Sequence, residues 1–449
     1  MSETRLAAFI AQVMGEQHIP GVAAGVWQAG ETRVVASGVT NVDYPLPVTE
    51  ETLFQVGSIT KTFTALLMMQ LVEEGRLDLE ATVQSYLPDF RVADETVSRQ
   101  ATIRHLLTHT AGWVGDLFED TGEGEDASAR YVALMADLPQ LAPLGMTYSY
   151  NNASFYLAGA ILEAVTGRFY ANLLQERVLD PLGMTHSYLK PTDVMTYCYA
   201  VGHNVQVEDE VAVLRPWALP RAVYPVGGLI TTVPDLLRYG RFQIGDGVTE
   251  SGECLLTADS MQQMHTPQAA IWGETEAVGL SWFIKDVAGT RILSHSSGTK
   301  GQVSYLFVVP ERDFAAAIVT NSERGGQLTQ AVYRWLLREY LDVDDPEPQP
   351  VEAEEAVLAE FVGRYERPFS DIELVLEDGR LLAQLTIKQG FPDKNDPPPP
   401  SPPPMPLALC GPDRLVVTDG PMKNALADVV READGRIGWL RVSRLHKRV

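Results

Sequence analysis

Apolar positions at Leu6, Phe9, Ile10 and Val13 repeat with a helical period and predict an amphipathic helix at the start of the chain. Two strand-like runs follow, Gly21–Trp27 and Thr32–Ser37, and read as a hairpin turning at Gly30-Glu31. The apolar stretch Phe63-Thr64-Ala65-Leu66-Leu67-Met68-Met69 predicts a helix over 58–75, and residues 76–285 read mostly as helices and loops. Three strand-like runs then occupy 291–320, and a closing helix is predicted at 326–341. This order predicts an α+β architecture. A mainly antiparallel sheet from both ends of the first 341 residues packs against helices, with a helical subdomain inserted between.

The pattern changes after an acidic, proline-bearing linker at 342–355. Ile372, Leu374 and Leu376 alternate with polar residues, Asp378-Gly379 turns the chain, and Leu381–Ile387 returns. Further strand-like runs at Arg414–Val417, Ala427–Val430 and Ile437–Val442 predict a small antiparallel β-barrel or sandwich over 356–449. Within it, Pro392–Pro406 must leave the sheet as a loop, because proline offers no N–H to a ladder. The run reads as an extended surface loop, with a ligand for a proline-binding module as the alternative.

Composition narrows the function classes. At 449 residues the chain is long enough for two or three domains, here 1–341, the linker 342–355, and 356–449. A net charge of −24 opposes nucleic-acid binding. The acidity is densest at Glu119–Asp126 and Asp342–Glu355 and reads as solvated surface. Cys198, Cys254 and Cys410 are far apart and odd in number, so no disulfide framework is expected. No Cys/His cluster has zinc spacing, so neither a metal nor another cofactor is expected. No uncharged apolar run approaches about 18 residues, so no membrane span is expected. The N-terminus lacks a basic region followed by an apolar core, which makes the cytoplasm the expected location. The expected partner is a small-molecule ester, amide or peptide substrate, and oligomeric state stays open.

Three stretches carry chemistry. In Ser58-Ile59-Thr60-Lys61 a serine stands three residues before a lysine at a helix mouth, so both share one face. A serine hydroxyl needs a neighbouring base to become nucleophilic, and a lysine serves once burial or a nearby charge lowers its pKa. Tyr148-Ser149-Tyr150-Asn151-Asn152 lies between a turn, Leu144-Gly145-Met146, and an apolar run from Phe155. There Tyr150 is placed to relay a proton, and Asn152 to orient the lysine or touch substrate; the same residues also read as a helix cap. His295-Ser296-Ser297-Gly298-Thr299-Lys300-Gly301 lies between two strand-like runs and offers backbone donors at a strand edge, or reads as a hairpin turn.

Taken together and in this order, the three stretches resemble the penicillin-recognising serine hydrolases. The branch is that of class C β-lactamases, low-molecular-weight penicillin-binding proteins, and their esterase and D-aminopeptidase relatives. Thr102–Gly112, Pro181-Leu182-Gly183-Met184, Gly227–Thr232 with Asp235, Gly279-Leu280-Ser281-Trp282 and Val319-Thr320-Asn321 extend the likeness over roughly residues 5–340. The resemblance implies a metal-free acyl-enzyme mechanism with Ser58 as nucleophile. Lys61 and Tyr150 share the general-base and general-acid work, and the N–H groups of Ser58 and Gly298 form the oxyanion hole. Asn152 is expected to orient Lys61 and His295 to bind substrate or support Tyr150, while Trp113 and Tyr224 are candidates for lining the pocket. The chain departs from the pattern in carrying His295 where such β-lactamases have a lysine, and Ser297 where they have glycine. A neutral histidine binds a drug's carboxylate poorly. Ester hydrolysis is therefore expected first, then peptide or D-amino-acid amide hydrolysis, then β-lactam hydrolysis. A catalytically silent binding or scaffolding protein is the rival of another class. The 356–449 segment, with Phe361-Val362-Gly363-Arg364-Tyr365-Glu366, is similar to the lipocalin-like domains appended to some of these hydrolases.

Overall fold

Pairing between the two ends of the first 341 residues builds the main sheet. A computed structural model describes residues 3–205, 210–390, 397–398, 400–420 and 422–449. Helices α1 (Glu3–Gln17), α2 (Thr60–Glu73), α3 (Asn152–Thr166), α4 (Val233–Ile244) and α5 (Gly325–Leu341) pack around strands β1 (Gly21–Gln28), β2 (Glu31–Gly38), β3 (Ala269–Trp272), β4 (Glu276–Val278), β5 (Phe283–Val287), β6 (Thr290–Thr299), β7 (Gln302–Val309) and β8 (Phe314–Thr320). The sheet runs β2-β1-β8-β7-β6-β5-β4-β3 and is antiparallel between all neighbours. The β1–β2 turn is Ala29-Gly30, both at positive φ, so Glu31 already belongs to a strand.

The pleat divides the core in two. Val22, Ala24, Phe307, Ala316 and Ile318 face α1 and α5. Ala23, Leu306, Val308, Ala315 and Ala317 face α4 and the helical region. Strand β8 is covered on both faces, which is why it reads as an unbroken apolar run. Strands β3–β5 extend the sheet into the stretch that sequence reads as helix and loop. They are three to five residues long, too short for a clear alternation.

Helix α2 is apolar on every side and buried from Thr60 to Leu71, as a helix in the middle of a domain must be. It does not begin at Ser58: Gly57–Ile59 forms a 3₁₀ turn just before it. Helix α3 begins on Asn151, whose side chain accepts the N–H of Ser154 at 2.9 Å, and ends on Gly167 in the left-handed region at φ 69°.

A closed barrel occupies the C-terminal part, with strands β9 (Gly363–Glu366), β10 (Ser370–Glu377), β11 (Arg380–Ile387), β12 (Met405–Gly411), β13 (Arg414–Val417), β14 (Leu426–Arg431), β15 (Ile437–Val442) and β16 (Arg444–Arg448). The Tyr365–Arg448 pairing closes it. Ile372, Leu374, Leu381, Leu407, Leu415 and Leu440 fill its interior, as expected for a barrel of this size. The expected Pro392–Pro406 loop is correct in part. Residues 397–398 and 400–404 are outside strands, Met405 and Pro406 belong to β12, and residues 392–396 and 399 lie outside the described residues.

The barrel sits against the catalytic body. Trp439 donates its indole N–H to the Leu141 carbonyl at 2.9 Å, and Arg441 Nη1 donates to Thr147 Oγ1 at 3.0 Å. Arg414 donates to both carboxylate oxygens of Glu276, at 2.9 and 2.6 Å. No described helix is long and apolar enough to cross a membrane.

Candidate active site

Ser58 sits in the 3₁₀ turn and Lys61 in the first turn of α2. Positions i and i+3 share one face in both 3₁₀ and α geometry, so the lysine stem lies alongside the serine across the junction. Lys61 Nζ is 2.9 Å from Ser58 Oγ and donates to the Val226 carbonyl at 2.9 Å. Lys61 is completely buried, with aromatic faces of Tyr150 and Phe155 at 5.0 and 5.7 Å. Burial lowers its pKa well below the ordinary lysine value. The nearby charge of Arg444 adds to this, and Asp116 opposes it.

Tyr150 stands beside both Ser58 and Lys61. Burial raises its phenol well above the usual value, against the pull of a hydrogen bond with Ser58 and of the Arg444 charge. Its ring packs 4.5 Å from that of His109, which accepts the Asn151 N–H at Nδ1. His109 is itself neutral, its pKa lowered chiefly by burial.

The third stretch lies on β6, next to Gly57 and Ser58. Alternation turns His295 and Ser297 inward and leaves Ser296 and Gly298 exposed. Lys300-Gly301 is a two-residue turn that makes Thr299–Gln302 the closing pair, so the Gly298 N–H is directed away from β7, toward the site. His295 is fully buried, gives its Nδ1–H to the Ser296 carbonyl at 2.8 Å, and is held neutral with a pKa lowered to about 3, chiefly by burial. Its ring lies 6.2 Å from that of Tyr150 in an edge-on arrangement.

Several of the expected contacts are replaced by others. Asn152 gives its amide N–H to Asp116 Oδ1 at 2.9 Å instead of orienting Lys61; the Val226 carbonyl does that, because the α2 entry abuts residues 224–227. The Ser58 N–H is already taken by Ser297 Oγ at 2.6 Å, in the space that Gly57 leaves by lacking a Cβ. Trp113 is 1% exposed and packs on Phe90 in the core, so it does not line a cavity. His295 has no exposed surface to offer a substrate.

A cavity of about 60 Å³ opens at Ser58 and is lined by Phe118, Asn152, Tyr156, Leu219 and Gly298 among others. Leu219 also borders a larger one of about 490 Å³, lined by Phe169, Tyr170, Arg221 and Tyr224. Tyr224 thus lines the neighbouring cavity and not the one at Ser58.

Sequence reasoning missed an ionic cluster. The Asp116 carboxylate, 2% exposed, receives Arg367 Nη1 at 2.5 Å and has Arg444 Nε 2.6 Å from Oδ2. Burial alone would raise its pKa, but the two guanidiniums and their hydrogen bonds hold it below the usual carboxylate range. Nothing in the sequence links these residues: Asp116 is an isolated loop acid, and both arginines come from the barrel.

The family profile described as Beta-lactamase matches residues 6–339. Penicillin-binding protein 4 of Amycolatopsis lactamdurans is 35% identical over 359 residues, which cover 78% of this chain and 94% of that protein. Crystal structures of SurE, alone and with D-Leu, superpose with TM-scores of 0.78 and 0.76 at 26% identity. Each covers 99% of this chain, and the match covers 98% and 99% of theirs. A class C β-lactamase from Rhodobacter sphaeroides, 22% identical, covers 75% of this chain and 99% of its own with a TM-score of 0.63, a likeness of fold that lacks the barrel-sized remainder. Matched over most of its length, and carrying a serine and a buried lysine in contact at the mouth of α2, the chain belongs to the beta-lactamase family of serine hydrolases.

Proposed function

We propose that Ser58 is the nucleophile of an acyl-enzyme mechanism, with Lys61 as its base and Tyr150 as the relay to the leaving group. The observation that carries this is the 2.9 Å approach of a completely buried Lys61 amine to Ser58 Oγ. As a neutral amine, Lys61 gives one N–H to Val226 O and turns its lone pair to the Ser58 hydroxyl. It takes the hydroxyl proton as Oγ attacks the substrate carbonyl, and the electron pair moves to the carbonyl oxygen. The Tyr150 phenol, whose high pKa keeps it protonated, passes a proton to the departing oxygen or nitrogen and is refilled from the Lys61 ammonium. Water then repeats the sequence on the acyl-enzyme and restores Ser58. The Gly298 N–H and, after Ser297 moves, the Ser58 N–H meet the oxyanion.

Small carboxylic esters are the proposed substrates. The cavity at Ser58 is small, and His295, buried and neutral, supplies no charge for the carboxylate of a β-lactam. A D-amino-acid amide or peptide is the second reading, supported by the full-length likeness to a SurE structure containing D-Leu. The test is a fluorophosphonate label followed by peptide mapping, with turnover of p-nitrophenyl butyrate, a D-leucine anilide and nitrocefin. Label on Ser58, and Ser58→Ala losing activity by at least about 10³-fold, is the expected result. Label elsewhere, or none, overturns the nucleophile. Faster nitrocefin than ester turnover overturns the substrate ranking.

A further inference from the structure

The connection between β15 and β16 is a single residue, Ser443, held at φ 60°, and it is inserted where Tyr150 stands. The Ser443 carbonyl accepts the Tyr150 N–H at 3.0 Å. On the next residue but one, the Leu445 N–H donates to Ser149 Oγ at 3.2 Å. The backbone at Ser149-Tyr150 is therefore clamped by the barrel. Between these two contacts the Arg444 guanidinium lies over the Tyr150 ring, with Cζ 4.9 Å from its centroid. Its other side meets Asp116, which also receives Arg367 and the Asn152 amide. The barrel thus delivers two guanidiniums to one buried carboxylate, and a net positive charge remains beside the nucleophile.

We propose that the Ser443-Arg444 turn of the C-terminal barrel is a working part of the catalytic site, in which Arg444 is a positioning residue that fixes the Tyr150 phenol against Ser58 and Lys61. The inference rests on the acyl-enzyme reading above. A planar cation on one ring face, with a backbone acceptor on the Tyr150 N–H, removes the freedom the tyrosine needs to swing away from Ser58. The same cation disfavours an ammonium at Lys61, where its effect comes second to burial, and Asp116 acts in the opposite sense. Among the described residues, the groups facing Lys61 and Tyr150 are Ser58, His109, Asp116, Tyr148, His295 and Arg444. Both histidines are neutral at working pH, so the charge balance falls to Asp116 and its two guanidiniums, Arg444 and Arg367.

The full-length protein is compared with Arg444→Met, Arg444→Lys and Asp116→Asn, with kcat and KM for p-nitrophenyl butyrate followed from pH 5 to 10. For Arg444→Met the expected result is a fall in kcat of about 10- to 100-fold with little change in KM. The rising limb of its pH profile moves upward. Arg444→Lys returns the limb toward its original position but only part of kcat, since an ammonium carries the charge without the plane. Asp116→Asn, which is isosteric, moves the limb downward. These opposite shifts are a readout that loss of packing alone does not give. A folded Arg444→Met with wild-type kcat and pH profile overturns the proposal. So does a defect confined to the KM of substrates bearing a carboxylate, which assigns Arg444 to substrate binding. If Arg444→Met fails to fold, an unmoved limb in Asp116→Asn overturns it instead. Fluorophosphonate labelling of the wild type is read separately. Failure to label Ser58 removes the nucleophile reading and this proposal with it; labelled Ser58 beside an indifferent Arg444→Met removes this proposal alone.

Discussion

At the scale of single residues, the site is governed by which groups are kept uncharged. Lys61 has no exposed surface and, among the described residues, no carboxylate in hydrogen-bond contact, so the neutral amine is the favoured form. Activity should rise with pH along a limb lying well below the ordinary lysine pKa and then level off. Lys61→Arg should lose at least about 10²-fold in kcat at every pH, because a guanidinium does not surrender its proton. An active arginine variant would take lysine out of proton transfer. Ser297 gives a second test. Its hydroxyl occupies the Ser58 N–H at 2.6 Å, and substrate must displace it before that N–H can hold an oxyanion. An ordinary hydrogen bond is worth about 0.5–1.5 kcal/mol net. Ser297→Gly should therefore speed acylation of Ser58 by about 2- to 10-fold, measured as the phosphonylation rate; slower acylation would make the Ser297 hydroxyl a donor to the reaction, not a competitor.

At the scale of elements, the site is made where two helices and a strand edge meet. The Tyr150–Asn152 stretch owes its position to the start of α3. Asn151 caps the helix through the Ser154 N–H and donates Nδ2–H to the Trp113 carbonyl at 2.9 Å, tying the helix entry to the 109–116 loop. Asn151→Ala removes a cap and leaves a buried carbonyl without that donor, a loss of about 2–3 kcal/mol together. Urea unfolding should show it as a lower midpoint, with kcat reduced as Tyr150 and Asp116 lose their common support. Unchanged stability would mean that the cap is replaceable. The β6 edge follows a simpler rule. The two-residue turn fixes the alternation, and the alternation turns His295 and Ser297 inward while the Gly298 N–H is directed away from β7.

At the scale of the whole molecule, burial sets an acid limit on stability. His265, His295 and His446 are buried with pKa values lowered to about 3, and His109 is lowered well below the ordinary value, in each case chiefly by burial. The unfolded chain takes up protons on these rings below about pH 6.5 while the folded chain does not, so stability is full above that pH and is lost as pH falls from 6.5 toward 3. Each ring contributes about 1.4 kcal/mol per pH unit in that window. Unfolding free energies from urea titrations should be lower at pH 5.5 than at pH 7.5 by several kcal/mol; equal values would show that the rings are protonated in the folded state. The paired ends of the catalytic body, the apolar α2, the β10–β11 hairpin and the Ser58-Lys61 juxtaposition were all legible, because each depends on neighbours in sequence or on alternation over one segment. The short strands β3–β5, the last strand β16 and the ionic cluster were not. Asp116, Arg367 and Arg444 carry no shared period or spacing, and a charge reads as solvated surface until a partner is known. Sequence by itself determined the local chemistry, a serine and a lysine on one face, since a helical turn needs no tertiary contact to align them. Only the tertiary structure decided that Lys61 is dry, that Ser297 sits on the Ser58 N–H, and that a barrel from the far end of the chain reaches Tyr150, because burial and the field at a group are sums over atoms brought together by folding.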